Sequence, residues 1–161
     1  DLRDRRMAVD QHQHLELLRG KRGARPAQLG ASLRREGKDV TVVTYSAMVH
    51  LALSAAEGLA KEGIELEVID LRTLVPLDEA TMLASFRKTN RVIILHEAPM
   101  RGGVGAELES IICEKAFDNL AAPPVRIAAK MLPIPLAPQL EDYCLPSLKD
   151  LIDAAKKLVQ Y

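Results

Sequence analysis

Arg91-Val-Ile-Ile-Leu-His-Glu-Ala-Pro-Met-Arg-Gly-Gly-Val-Gly-Ala-Glu107 is the stretch whose reading decides the fold. Val92 to Leu95 is an unbroken apolar run without alternation, which suits a strand covered on both faces. His96, Glu97 and Arg101 follow, three polar side chains expected on the loop at the strand's carboxyl end. Gly102, Gly103 and Gly105 then lead into a segment, from Ala106 onward, where helical periodicity returns. In open α/β sheets, ligands and partners meet the protein outside the carboxyl ends of the strands. This turn is therefore the first candidate surface.

The same grammar extends in both directions. Upstream, the β-branched run Val40 to Tyr45 predicts a strand. Ser46 is expected to cap the next helix, whose apolar face carries Met48, Leu51, Ala52, Ala55 and Leu59, with His50 on the solvated face. Gly63 ends that helix, and Leu66 to Leu71 predicts a second strand. Asp78 is a good N-cap for a helix running to about Lys88, with Leu77 and Met82 at staple spacing. Downstream, Leu108, Ile111, Ile112, Ala116 and Leu120 mark an amphipathic helix that Pro123-Pro124 stops, and Val125 to Ala128 predicts a short strand. The prolines of Pro133-Ile-Pro-Leu-Ala-Pro138 predict an extended, stiff segment. Ser147-Leu-Lys-Asp150 is a capping box for a last helix with Leu148, Leu151, Ile152, Ala155, Leu158 and Val159 on its core face. Ser32 to Arg35, joined to Val40 by the turn Glu36-Gly37-Lys38-Asp39, predicts an antiparallel edge strand. Alternating strands and helices on short connections predict an α/β three-layer sandwich: a mostly parallel sheet of about five strands with helices on both faces.

Composition narrows the function classes. The chain has 161 residues, enough for one ordinary domain. No apolar run approaches the ~20 residues that cross a bilayer. Aromatics make up 3% and Trp is absent, which argues against stacking platforms for nucleic acid. Cys113 and Cys144 are the two cysteines, too few for a disulfide scaffold or a four-ligand zinc site. The net charge is zero, but residues 1–38 hold ten Lys or Arg against five Asp or Glu. Residues 1–28 read as a basic, solvated arm or linker rather than a phosphate grip. His12 and His14 stand two apart, so on a helix they share no face and make poor metal ligands.

His96, Glu97 and Arg101 have the composition of an acid–base cluster. No serine or cysteine nucleophile stands at a matching strand end, and the interface or structural reading is preferred. Gly102-Gly-Val-Gly105 exposes backbone N–H groups at a helix start, as an anion site would. It lacks the Lys-Ser/Thr ending of a nucleotide phosphate loop and the spacing of the dinucleotide fingerprint. Close packing of the helix start is the plainer use of these glycines. A free-standing α/β module binding a small anion at Gly102–Gly105 is the alternative.

Residues from about Leu29 to Tyr161 resemble the C-terminal domain of the beta subunit of thiamine-diphosphate-dependent 2-oxoacid dehydrogenases. This is the decarboxylating component of the pyruvate, branched-chain and acetoin complexes, and the domain is shared with transketolases. The resemblance rests on Val40-Thr-Val-Val-Thr-Tyr-Ser-Ala-Met-Val49, Asp70-Leu-Arg-Thr-Leu-Val-Pro-Leu-Asp78, His96-Glu-Ala-Pro99, Gly102-Gly-Val-Gly-Ala-Glu107, Ala122-Pro123, Pro133-Ile-Pro-Leu-Ala-Pro138 and Leu145-Pro146. It implies an assembly and partner-docking domain. Thiamine diphosphate and magnesium are held elsewhere in the assembled enzyme, so the resemblance carries over no catalytic, cofactor-binding or metal residue. The implied partners are the alpha subunit, a second beta subunit and dihydrolipoyl acyltransferase, with a homodimer if the chain is isolated. Nucleic acid and membrane are not among them. The expected compartment is the bacterial or archaeal cytoplasm, with the mitochondrial matrix as the less favoured alternative. The expected interface residues are His96, Glu97, Arg101, Gly102, Gly103 and Gly105, with the C-terminal helix and Tyr161 as docking candidates. Two departures stand out. Ala121 occupies a position where relatives often carry an acid. Met131-Leu-Pro-Ile-Pro135 stands where many read Asp/Asn-x-Pro-x-Pro.

Overall fold

The computed structural model describes residues 30–161. Five strands, β1 (Ser32–Arg35), β2 (Val40–Thr44), β3 (Leu66–Asp70), β4 (Val92–Pro99) and β5 (Val125–Ala129), form one sheet in the order β1-β3-β2-β4-β5. The pairs β2–β3, β2–β4 and β4–β5 are parallel, and β1–β3 is antiparallel. The expected mixed, mostly parallel sheet with an antiparallel edge is what the chain forms. The neighbour of β1 is β3, however, rather than β2, which follows it in sequence. The connecting backbone crosses the start of β3, where Lys38 N and Asp39 N donate to Glu65 O at 3.2 and 3.1 Å. A side chain at Gly37 would collide with the Leu66 backbone, so this crossing needs a glycine.

Alternation along the strands sorts the core into two layers. Val40, Val42, Leu66, Val68, Ile93 and Leu95 face helices α1 (Met48–Ala60) and, at the C-terminus, α5 (Leu148–Leu158). Val43, Ile69, Val92 and Ile94 face α2 (Glu79–Thr89) and α3 (Val104–Ala116). Strand β2 is buried throughout because both of its faces are covered.

The helix ends follow their sequence signals in most places. Asp78 caps α2 by accepting from Thr81 N, and Ser147 with Asp150 closes the capping box of α5. Gly63 takes a positive φ of 85° just past α1. The face of α5 is narrower than expected: Leu151, Ala155 and Leu158 are buried, Ile152 and Val159 pack partly against the core, and Leu148 stays exposed.

Three local expectations fail. Ser46 does not cap α1: it adopts a left-handed φ of 59° and accepts from Val49 N through its carbonyl, and the N-cap is Ala47, with no side-chain bond. Helix α3 begins at Val104, two residues earlier than periodicity suggested. Pro138 does not end an extended run but opens a seven-residue helix, α4 (Pro138–Cys144). Proline fits the first helical position because its φ is preset and its missing N–H has no acceptor there.

Candidate functional site at the carboxyl end of β4

Strands β3 and β4 flank β2 on opposite sides. The chain leaves β2 toward one neighbour and later returns to its other side. The carboxyl ends of β2 and β4 therefore form the sheet's topological switch point. Tyr45, next after β2, and His96, on β4, meet there as nearly parallel rings with centroids 6.4 Å apart.

The structure corrects the placement of His96 and Glu97. They lie within β4 rather than on a loop after it, because the strand runs on to Pro99 with a register irregularity between Leu95 and Pro99. Alternation puts His96 on the same side as Ile94, toward α3. It is 0% exposed, and neither ring nitrogen has a hydrogen-bond partner. Burial lowers its pKa, and the positive charge of Arg126 lowers it further. The Ala98 backbone, near the ring but outside hydrogen-bond geometry, opposes this. A neutral imidazole without a partner, sealed from water, cannot serve as an acid–base group for a ligand in solution.

The glycines explain the seal. A Cβ on Gly105 would overlap His96 Nε2, and one on Gly103 would overlap the Pro99 carbonyl oxygen while crowding the His96 ring. Gly103 is the N-cap of α3 and Gly105 lies in its first turn. Both are glycine because the helix start packs directly onto His96 and the end of β4. Gly102 has a different reason: its φ of 74° is left-handed, and the space around it is open. The first turn of α3 is thus pressed against protein.

Glu97 is half-buried, and its charge, after burial itself, raises the pKa of Tyr45. Arg101 is exposed on the turn. Tyr161 is exposed too, but stands apart from this group. Arg91, just before β4, donates through Nε to Leu158 O at 3.0 Å, which pins the C-terminus at the amino end of the strand. His96 lies five residues beyond Arg91, roughly 16 Å at the strand rise. The structure therefore gathers His96, Glu97 and the glycines and leaves Tyr161 at the opposite end.

Sequence reasoning missed Arg126. From β5 it donates to Met100 O at 3.1 Å and pairs with Glu109 of α3 at 2.6 Å, tying the β4 turn to the helix behind it. The signal was an arginine inside an otherwise apolar strand. A second polar group was also missed. Buried Glu67 on β3 accepts from Ser85 Oγ and Lys88 Nζ, both at 2.5 Å, and from Gly37 N at 3.3 Å. Beside it Thr41 and Thr89 share a 2.8 Å hydrogen bond. Glu67, Ser85 and Lys88 floor a groove of about 490 Å³ between β1 and α2, walled by Leu33, Ile69, Ala80 and Ala84. Every oxygen of Glu67 is engaged within the chain, so the group locks α2 to the sheet.

Residues 30–151 match the family described as Transketolase, C-terminal domain. The chain belongs to that family. It is 47% identical over 131 residues to the pyruvate dehydrogenase E1 component subunit beta of Rickettsia felis, covering 81% of this chain and 40% of that protein. It is 40% identical over 153 residues to the beta subunit of an acetoin:2,6-dichlorophenolindophenol oxidoreductase of Cupriavidus necator, covering 93% of this chain and 45% of that one. The chain thus spans less than half the length of these relatives. Among solved structures, a split-gene transketolase described as an inactive beta4 tetramer matches with a TM-score of 0.72 at 28% identity, covering 85% of this chain and 44% of the other. Among the described residues no helix is long and apolar enough to cross a membrane.

Proposed function

We propose that this chain is a subunit-assembly and partner-docking domain of the beta subunit of a 2-oxoacid dehydrogenase decarboxylating component. That component decarboxylates a 2-oxoacid oxidatively and passes the acyl group to a lipoyl acyltransferase. The observation that carries the reading is the sealing of His96 by Gly105. The family motif at the end of β4 is a packing unit that shapes a turn, with its one imidazole shut away from any substrate. Kinship with pyruvate and acetoin enzyme beta subunits supplies the enzyme class.

The described residues do not fit a magnesium–diphosphate group. No three His, Cys, Asp or Glu side chains among them come together to hold a metal, and the glycine turn presses against His96 and Pro99. On this reading thiamine diphosphate and magnesium are held by other parts of the assembled enzyme. The alpha subunit, a second beta subunit and the dihydrolipoyl acyltransferase are the partners, in a bacterial or archaeal cytoplasm. Glu97, Arg101 and the backbone of Gly102 are the accessible part of the β4 turn. His96, Gly103 and Gly105 act on the interface by holding that turn in shape. Residues 1–28, expected from the sequence to be a basic arm or linker, lie outside the described residues and before the matched family domain.

Coexpression tests this directly. The full chain is expected to co-elute with the alpha subunit of a bacterial pyruvate dehydrogenase. Thiamine diphosphate with magnesium is expected to leave the melting temperature of the chain alone unchanged. A saturable shift with the cofactor, or no capture of the alpha subunit, would overturn the reading.

A further inference from the structure

His50 is exposed on α1, whereas His96 is fully buried. The His96 ring fills a slot between the first turn of α3 and the Tyr45 ring. Neither of its nitrogens has a hydrogen-bond partner, so the slot suits a neutral imidazole and offers nothing to a second proton. An imidazolium donates from both nitrogens, and a buried charge without a partner is costly.

The neighbouring elements do not supply that partner. From β5, Arg126 turns a like charge on the ring, and its counter-charge, Glu109 of α3, is already engaged with it at 2.6 Å. From the end of β2 comes the phenol of Tyr45. Glu97, next along β4, acts on Tyr45. Arg101 on the turn and Glu107 in the first turn of α3 are exposed. Protonation therefore sets the ring against the wall that encloses it.

That wall is the least tied part of the strand. The β2–β4 register ends at Thr44 and Leu95. The β4–β5 register passes from Leu95 and Ile127 directly to Pro99 and Ala129. His96, Glu97 and Ala98 thus have no register partner on either side. Beyond them, Met100 N donates to Ala129 O at 3.3 Å, longer than an ordinary N–H···O bond. Gly102, left-handed and with open space around it, gives the turn room to hinge. Leu108, 1% exposed, anchors α3 one turn further on.

We propose that His96 is a proton-operated latch: its protonation lifts the first turn of α3 off β4 and frees residues His96–Gly105, while the sheet behind them stays folded. The latch is a property of this chain and does not depend on the assembly reading. Only its consequence for partners rests on that reading, since the freed segment includes Arg101 and Gly102.

Amide exchange of the full chain in low urea, followed by NMR at about pH 7.5 and about pH 5.5, tests it. The amides of Met100 and Ala106, bonded to Ala129 O and Gly103 O, report the latch. That of Thr41, bonded to Arg91 O at the other end of the sheet, reports global unfolding. Met100 and Ala106 are expected to be less protected than Thr41 and insensitive to low urea, as a small local opening is. A histidine of ordinary pKa is protonated about ten to one at pH 5.5. Their protection, corrected for intrinsic exchange, is therefore expected to fall severalfold on acidification, with about tenfold as the ceiling. The His96 ring and the Gly103 and Gly105 amides should shift with one common midpoint. In His96→Gln, which does not titrate, the acid-induced fall is expected to vanish; His96→Leu, an apolar filler, gives a second reading if glutamine unfolds the chain. Exchange at Met100 and Ala106 that accelerates with urea as at Thr41 overturns the latch, because the opening is then global. So does an acid-induced fall that persists in the folded variants, or a ring that protonates without any shift at Gly103 and Gly105. Each of these results leaves capture of the alpha subunit untouched. Failure of the wild-type chain to capture that subunit removes the assembly reading and leaves the latch standing.

Discussion

His96 and Gly105 form one unit, and the cost of disturbing either depends on the other. An alanine methyl at Gly105 has to displace a ring held between α3 and Tyr45. Gly105→Ala is expected to lower stability by about 1–3 kcal/mol, the usual range for overpacking a filled core. In the His96→Ala background the same methyl enters vacated space. A double-mutant cycle by urea unfolding should therefore show a coupling of about 1 kcal/mol or more, and simple additivity would refute the direct clash. The imidazole also makes stability depend on pH. Burial and Arg126 hold the folded-state pKa below its ordinary value of 6.5. The unfolded chain thus takes up the proton first as pH falls below about 6.5. This contribution is fully present above that pH and is lost as pH drops to the folded pKa. Urea midpoints between pH 7.5 and 5.5 should fall less in His96→Gln than in the wild type; equal slopes would mean that His96 keeps its proton equilibrium on folding. The sequence showed a histidine beside an acid and an arginine, which composition alone reads as acid–base chemistry. Burial was the deciding quantity, and it comes from α3 pressing back on the strand.

Among the elements, α5 shows most clearly how local signals and packing combine. Its capping box satisfies backbone donors at the start, with Asp150 N donating to Ser147 Oγ at 3.2 Å and Ser147 N to Asp150 Oδ2 at 2.9 Å. Ser147→Ala is expected to cost about 1 kcal/mol, read as a lower urea midpoint at an unchanged m-value; an unchanged midpoint would show that packing alone sets this helix start. Caps and periodicities of this kind were legible because they depend on residues three or four apart. Asp78, Gly63 and the Ser147 box all sit where their chemistry requires. The failures share one cause, a distant partner that local rules do not see. Ser46 is a good capping residue, yet the chain turns through a left-handed conformation there and the first turn is left uncapped. Strand β1 follows the β-turn logic of its sequence only as far as Gly37, where the chain steps over β3. Arg126 and Glu67 each look out of place in a strand until Glu109 and Lys88 are brought beside them by the fold.

At the scale of the whole molecule, the sheet is a partition between two apolar layers, and β4, beside the central strand β2, contributes to both. Ile93 and Ile94 are neighbours in sequence, each 0% exposed, and they serve opposite layers. Parallel strands covered on both faces read as a continuous apolar run, which is why Val92 to Leu95 revealed the architecture before any contact was known. That run did not say which residue faces which helices; the two clusters assign Ile93 to α1 and α5 and Ile94 to α2 and α3. Ile93→Val and Ile94→Val are each expected to cost about 0.5–1.5 kcal/mol. Close neighbours ordinarily couple, and well-separated sites add. These two side chains are close along the backbone but separated by the sheet and share no cluster. If interiors respond through side-chain packing, the double variant should lose the sum of the single losses to within about 0.5 kcal/mol, in a single unfolding transition. A coupling above about 1 kcal/mol would instead mean that the strand backbone shifts as one piece, carrying a change in one layer through to the other.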